Sequence, residues 1–208
     1  MHVKGDKLLR SHAQHGEDQC ILELLDPEAP TYAIDVGAND GQSWSNTFAF
    51  GQIGFNLLLV EPMPIYAQRC SDLYAGSDKV LVENVAIAPI EGETTFYISA
   101  NLAEDELAMR SSLNRDAVPY EAVQAITVRT VPLEQLLTNY GWPERYAFIS
   151  VDAEGLDLEV LRTAGLDRYR PSVICVEEGP NRQSIENYLS TQRYQRKTTL
   201  GPNGIYVG

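Results

Sequence analysis

The sequence predicts an α/β fold, a doubly wound, mainly parallel sheet closed by an antiparallel hairpin. Three observations predict it. Short apolar runs alternate with helix-patterned stretches from residue 31 to residue 192, the rhythm of strand–helix units on a parallel sheet. Polar residues stand at the carboxyl ends of those runs: Asp35, Glu61, Asn84, Asp152 and Glu177. In such sheets ligands sit beyond the carboxyl ends of the strands. Finally, Tyr194 to Leu200 and Ile205 to Val207 flank Gly201-Pro202-Asn203-Gly204, which reads as a hairpin.

Taken in order, residues 1–10 read as an arm. Ser11 to Gln19 is dense in polar groups and leads into a helix, Cys20 to Leu25, that stops before Pro27. The polar stretch either caps that helix or folds over a ligand. This divides the chain into an arm and helical lid segment, 1–30, and a single domain, 31–208. Within the domain, strands are expected at 31–36, 55–60 and 79–87, with helices at 43–51 and 65–74. Pro62 and Pro64 precede the second helix, where proline suits a helix start. Thr94 to Ile98 alternates weakly and reads as an extra strand. Residues 99–122 are irregular and polar, and a loop of that length is functional or disordered. It is expected to be mobile, with Ser111 and Ser112 near a substrate. Ile126 to Val131 is strand-like, and Pro132 opens a helix carrying Leu133, Leu136 and Leu137 on one face. Strands at 146–151 and 172–176 and helices at 156–164 and 181–192 complete the alternation.

The stretch Asp35-Val36-Gly37-Ala38-Asn39-Asp40-Gly41 joins the first strand to its helix. Strand, glycine loop and helix together bring backbone N–H groups up to a ligand. Gly37 and Gly41 permit close approach, and Asn39 tolerates a left-handed conformation. A dinucleotide fingerprint would read G-x-G-x-x-G. Here the pattern is D-x-G-x-N-x-G, and a strand-end carboxylate repels a pyrophosphate. It suits a ligand with an ammonium group and sugar hydroxyls. Glu61 ends the next strand, where a carboxylate can accept both hydroxyls of a ribose. Ribose plus ammonium points to S-adenosylmethionine. Asn84 can meet an adenine edge or bond local backbone.

The 208 residues carry a formal net charge of −13. A protein that grips nucleic acid usually shows a basic footprint, so a small-molecule or glycan acceptor is favoured and no nucleic-acid partner is expected. Cys20, Cys70 and Cys175 are odd in number and lack metal spacing, which reads as buried thiols in a reducing, cytoplasmic setting. No secretory leader is evident in residues 1–10, and no apolar run reaches the ~18 residues of a membrane span. A homodimer is compatible with these features.

The chain resembles the FkbM family of S-adenosylmethionine-dependent methyltransferases over about residues 11–207. The resemblance is carried by Ser11-x-x-Gln14-x-Gly16-Glu17-Asp18, the Asp35 to Gly41 loop and Ser45-Asn46-Thr47. Val60-Glu61-Pro62, Asp152-Ala153-Glu154-Gly155 and Asn203-Gly204-Ile205-Tyr206-Val207 complete it. It implies a Rossmann-like class I methyltransferase sheet of seven strands with an antiparallel last strand. It implies O-methylation of a hydroxyl on a sugar, polyketide or other secondary metabolite. Gln14, Glu17, Asp35, Gly37, Asn39, Gly41, Asn46, Glu61 and Asn84 are assigned to the cofactor, and Ser111, Ser112 and Glu178 to the substrate. Many members carry lysine two places before the aspartate of the D-x-E-G motif; this chain has Ser150.

Methyl transfer displaces a sulfonium carbon in line, so positioning dominates. A hydroxyl acceptor is helped by a base or a divalent metal. Asp152 and Glu154 are the catalytic candidates, as a general base or as ligands of magnesium; they can also simply cap a helix start. Glu177, Glu178, His12 and His15 are further candidates. Two rival classes remain: a nucleotide-sugar or NAD enzyme on a similar sheet, and a non-catalytic S-adenosylmethionine-binding subunit.

Overall fold

A computed structural model describes residues 10–99, 111–118 and 123–208. Its strands are β1 (Tyr32–Val36), β2 (Asn56–Val60), β3 (Val80–Glu83), β4 (Ala86–Ile87), β5 (Gly92–Ser99), β6 (Val123–Val131), β7 (Arg145–Val151), β8 (Arg170–Glu177), β9 (Gln195–Leu200) and β10 (Asn203–Val207). Its α-helices are α1 (Glu17–Leu24), α2 (Phe48–Gln52), α3 (Pro64–Leu73), α4 (Leu133–Asn139), α5 (Asp157–Thr163) and α6 (Arg182–Thr191). Seven strands form one sheet in the order β3-β2-β1-β7-β8-β10-β9. The β3-β2-β1-β7-β8 run is parallel, and β10 is antiparallel to both its neighbours. The expected doubly wound sheet, its seven strands and the closing hairpin are all present.

Alternation along each strand sends successive side chains to opposite faces. Ile34, Val36, Leu58, Val60, Ile149, Val151, Ile174 and Val176 pack with α4, α5 and α6. Ala33, Leu57, Leu59, Phe148, Val173 and Cys175 pack with α1, α2 and α3 on the other face. Burial on both faces explains the near-continuous apolar runs of the central strands. Each fully buried leucine or isoleucine there contributes on the order of 2 kcal/mol. Pro64 occupies the first turn of α3, as expected.

Two elements differ from the sequence expectation. The run 79–87 is not one strand: β3 stays in the main sheet, whereas β4 joins a second sheet of order β4-β6-β5. The break falls at Asn84, whose side-chain amide donates to the carbonyls of Glu61 and Pro62 at 2.8 and 3.0 Å and turns the chain. The expected helix 43–51 is shortened to Phe48–Gln52. Trp44 adopts φ 54°, and Ser45 Oγ accepts the amides of Thr47 and Phe48, so residues 43–47 form a loop. The expected mobility of 99–122 falls partly on residues 100–110 and 119–122, outside the described residues, as does the arm at 1–9. The part described between them is tied down: Tyr97 and Ser112 exchange backbone hydrogen bonds of 2.9 and 3.0 Å. Among the described residues no helix is long and apolar enough to cross a membrane.

Candidate active site

The carboxyl edge of the sheet opens into a cavity of about 520 Å³, within the usual range for small-molecule sites. Strand register sets its floor. Val36 pairs with Val151 and Val151 with Val176, so Gly37, Asp152 and Glu177 follow in a row. Gly37 has φ 86°, and a Cβ there would overlap the carbonyl oxygen of Asp152. Only glycine lets β1 and β7 close this tightly at the point where the loop begins.

Asp35 is buried beneath that loop. It accepts hydrogen bonds from Thr47 Oγ1 at 2.6 Å and Ser45 Oγ at 3.4 Å. Ser150, its register partner on β7, also bonds to it and lowers its pKa. Burial, reinforced by the charge of Asp152, nevertheless raises the Asp35 pKa to about 6. Glu61 is equally buried. Its two oxygens accept the amides of Asn39 and Met63, at 2.9 and 2.8 Å, so it fixes the glycine loop as well as facing the cavity. Burial, partly offset by those amides and strengthened by Asp35 and Asp152, raises its pKa to about 7.

Asp152 lies deep between the strand ends, yet its side chain is open to the cavity. Burial raises its pKa. Its carboxyl hydrogen-bonds that of Glu177, which requires one proton between the two. Burial and the Asp152 charge raise Glu177 to about 7, so the two carboxyls titrate as a pair. The expected partner, Glu154, lines the same cavity but is turned away from a helical start by φ 49°. Oxygens of Asp152, Asp157 and Glu177 lie within 4.8 Å of one another. These three, rather than Asp152 and Glu154, could hold a divalent ion. Asp157 also accepts the amides of Ala153 and Gly155, at 2.8 and 3.2 Å, and so shapes the loop that presents Asp152.

The N-terminal segment forms part of the wall. Asp18 accepts Ser11 Oγ and the amides of His12, Ala13 and Gln19, folding residues 11–18 into a compact turn. Glu17 accepts the amide of His15 at 2.8 Å and Asn203 Nδ2 at 2.7 Å. That bond fastens the segment to the β9–β10 turn. Gln14, His15, Glu17, Pro202 and Asn203 all line the cavity, whereas the His12 ring packs at a tilt against Phe48.

Of the residues assigned from sequence, Gln14, Glu17, Asp35, Gly37, Asn39, Asn46, Glu61, Ser111, Asp152 and Glu154 line this one cavity. Four do not. Asn84 spends its amide on backbone, and the neighbouring Val85 and Ala86 face the cavity instead. Gly41 is buried against Cys70 and shapes the loop from behind. Ser112 is buried and donates to the carbonyl of Glu154 at 3.1 Å. Glu178 is held by Arg196 at 2.6 Å and Tyr206 at 2.5 Å on the far side of the strand end. The sequence reading does not single out Trp44 or Asp157; the signal for Asp157 is its place in the first turn of α5.

The donor set can be tested against a bound methyl donor. Asn39 and Asn46 each present a buried Oδ1 with no partner among the described residues, and both line the cavity. Asn46 is held by its amide, which donates to Ser150 Oγ at 3.0 Å. Unsatisfied buried acceptors beside carboxylates fit a ligand rich in N–H, O–H and positive charge. Met63, Ala86 and Phe96 pack as one apolar cluster at the β2–β3 end of the cavity and fit a flat heteroaromatic group.

A seven-stranded sheet in this order, with an antiparallel strand near its edge, is the class I methyltransferase fold. The sequence description of the methyltransferase FkbM domain matches residues 35–196. The chain belongs to the FkbM methyltransferase family, and membership implies use of S-adenosylmethionine. Among solved structures, a precorrin-6Y C5,15-methyltransferase from Geobacter metallireducens GS-15 superimposes with a TM-score of 0.48 at 13% identity, covering 95% of this chain and 90% of that one. No curated protein matches the sequence.

Proposed function

We propose that the protein transfers the methyl group of S-adenosylmethionine to a hydroxyl of a small molecule, a sugar or other secondary metabolite. The observation that carries this reading is the convergence of Asp35, Glu61 and the Asp152–Glu177 pair on one cavity around the glycine loop. When bound, the donor supplies a methyl group on a positively charged sulfur, ready for displacement. The chain's own residues position and deprotonate. Each Glu61 oxygen accepts one amide and keeps a lone pair free for a ribose hydroxyl. Asn39 and Asn46 offer acceptors to N–H groups. Met63, Val85, Ala86 and Phe96 form the apolar end that takes the place expected of Asn84. Asp152 accepts the acceptor's hydroxyl proton as the oxygen–methyl bond forms and the methyl–sulfur bond breaks.

Calorimetry with S-adenosylmethionine or its demethylated product is the direct test. Micromolar affinity is expected, roughly −8 kcal/mol. Glu61→Ala should weaken it by about 1–3 kcal/mol, because two hydroxyls lose a charged acceptor. Unchanged affinity in that variant would remove the ribose assignment.

A further inference from the structure

Six carboxylates line the cavity: Glu17, Asp35, Glu61, Asp152, Glu154 and Glu177. Among the described lining residues there is no lysine or arginine, and the one histidine is His15. The methyl donor carries a sulfonium, an ammonium and a carboxylate, a net charge of one. Above about pH 7, where Asp35 and Glu61 are ionised, the donor's single charge leaves the site negative even with a proton shared between Asp152 and Glu177. The excess is unevenly placed. Asp35 and Glu61 belong to β1 and β2, at the donor end. Asp152, Glu177 and Glu17 belong to the β7–β8–β10 side, where Glu17 is bonded to Asn203.

That same side holds an unusual aromatic. Trp44 lines the cavity with 52% of its surface exposed. Its backbone is left-handed and bridges Ala13 of the N-terminal segment. The next residues bind it to the β7–β8 side, since Asn46 donates to Ser150 and Cys175. An exposed indole over an acidic cavity is the arrangement that attracts an alkylammonium group, and a negative lining repels anions.

We infer that the acceptor carries a cationic amine in addition to the hydroxyl that is methylated, with Trp44 and the Glu17–Glu177 side of the cavity recognising the ammonium. Phosphorylated and carboxylated acceptors, including nucleotide-linked sugars, are excluded by the same field. This rests on the methyltransferase reading above and adds a charge class to the acceptor. The amine is a handle for binding; the proton lost in the reaction still leaves the hydroxyl for Asp152.

Three probes of nearly equal shape isolate the charge: choline, its neutral isostere 3,3-dimethyl-1-butanol, and 3,3-dimethylbutanoate. Each is titrated into protein saturated with the demethylated donor, read by ligand-observed NMR at millimolar concentration. Choline is expected to bind about fivefold or more tightly than the neutral alcohol, and the butanoate not at all. Trp44→Leu keeps an apolar side chain without the ring and should reduce the preference while donor affinity stays unchanged. Equal binding of choline and its neutral isostere, binding of the butanoate, or no binding of choline would overturn the inference. Failure of the donor to bind in the initial saturation step would instead overturn the methyltransferase reading.

Discussion

Asp152 and Glu177 are neighbours only because β7 and β8 lie in register, one strand ending at each. Their shared proton makes them one titrating pair, in which Asp152 is the member with the more open side chain. Asp152→Asn keeps the shape and removes the base, so turnover should fall by about 10²-fold or more while donor affinity changes little. Glu177→Gln keeps a hydrogen-bond donor beside Asp152 and should cost less, with the acid limb of the rate profile displaced. Equal losses in both variants would show that the pair, not Asp152, is the reacting unit. A chelator that abolishes wild-type turnover would shift the role of Asp152, Asp157 and Glu177 to metal binding.

At the scale of elements, the N-terminal turn and the closing hairpin complete the wall that the sheet begins. Glu17 joins them through Asn203, and Gly201 leaves room for the His15 ring, which a Cβ there would overlap. Glu17→Ala should therefore loosen both sides and weaken donor binding by roughly tenfold, the cost of about one charged hydrogen bond. Asn203→Ala should do nearly the same, and the double variant no more than either alone; additive losses in calorimetry would mean that the two residues act separately. This level shows what was legible in the sequence and what was not. Asp35, Glu61 and Asp152 could be placed at strand ends because short apolar runs and the glycine loop are local signals. The division of 79–87 could not, since Asn84 turns the chain by bonding carbonyls more than twenty residues earlier. Nor could the pairing of the Asp152 and Glu177 carboxyls, which depends on the β7–β8 register rather than on spacing. Glu178 shows the same limit: adjacent to Glu177, it is claimed by Arg196 and Tyr206 on the other side of the strand end.

For the whole molecule, the acidic edge links pH, stability and donor binding. Asp35 and Glu61 titrate at about 6 and about 7 in the folded chain, chiefly through burial, against about 4 when unfolded. Asp152, Asp157 and Glu177 are raised as well. A raised carboxyl pKa means that the folded state binds the proton more tightly, so this stability is fully present below about pH 4 and is lost as pH rises through about 6 to 7. A cationic donor reverses the preference, because it binds the ionised carboxylates. Melting temperature without ligand should fall between about pH 5 and pH 8, and the stabilisation by S-adenosylmethionine should grow over the same interval. A donor-induced shift that is the same at both ends would mean that these groups do not face the ligand.

The Glu17–Asn203 bond spans 186 residues of chain, and this has a bearing on biosynthesis. Contacts between segments so distant in sequence form late, because a long loop must close before they gain anything. The four parallel strands that supply Asp35, Glu61, Asp152 and Glu177 emerge from the ribosome before Asn203 does. The floor of the cavity can thus assemble during translation, but its wall waits for the hairpin. A nascent chain that has not yet delivered Asn203 therefore carries an acidic cleft whose wall is still open.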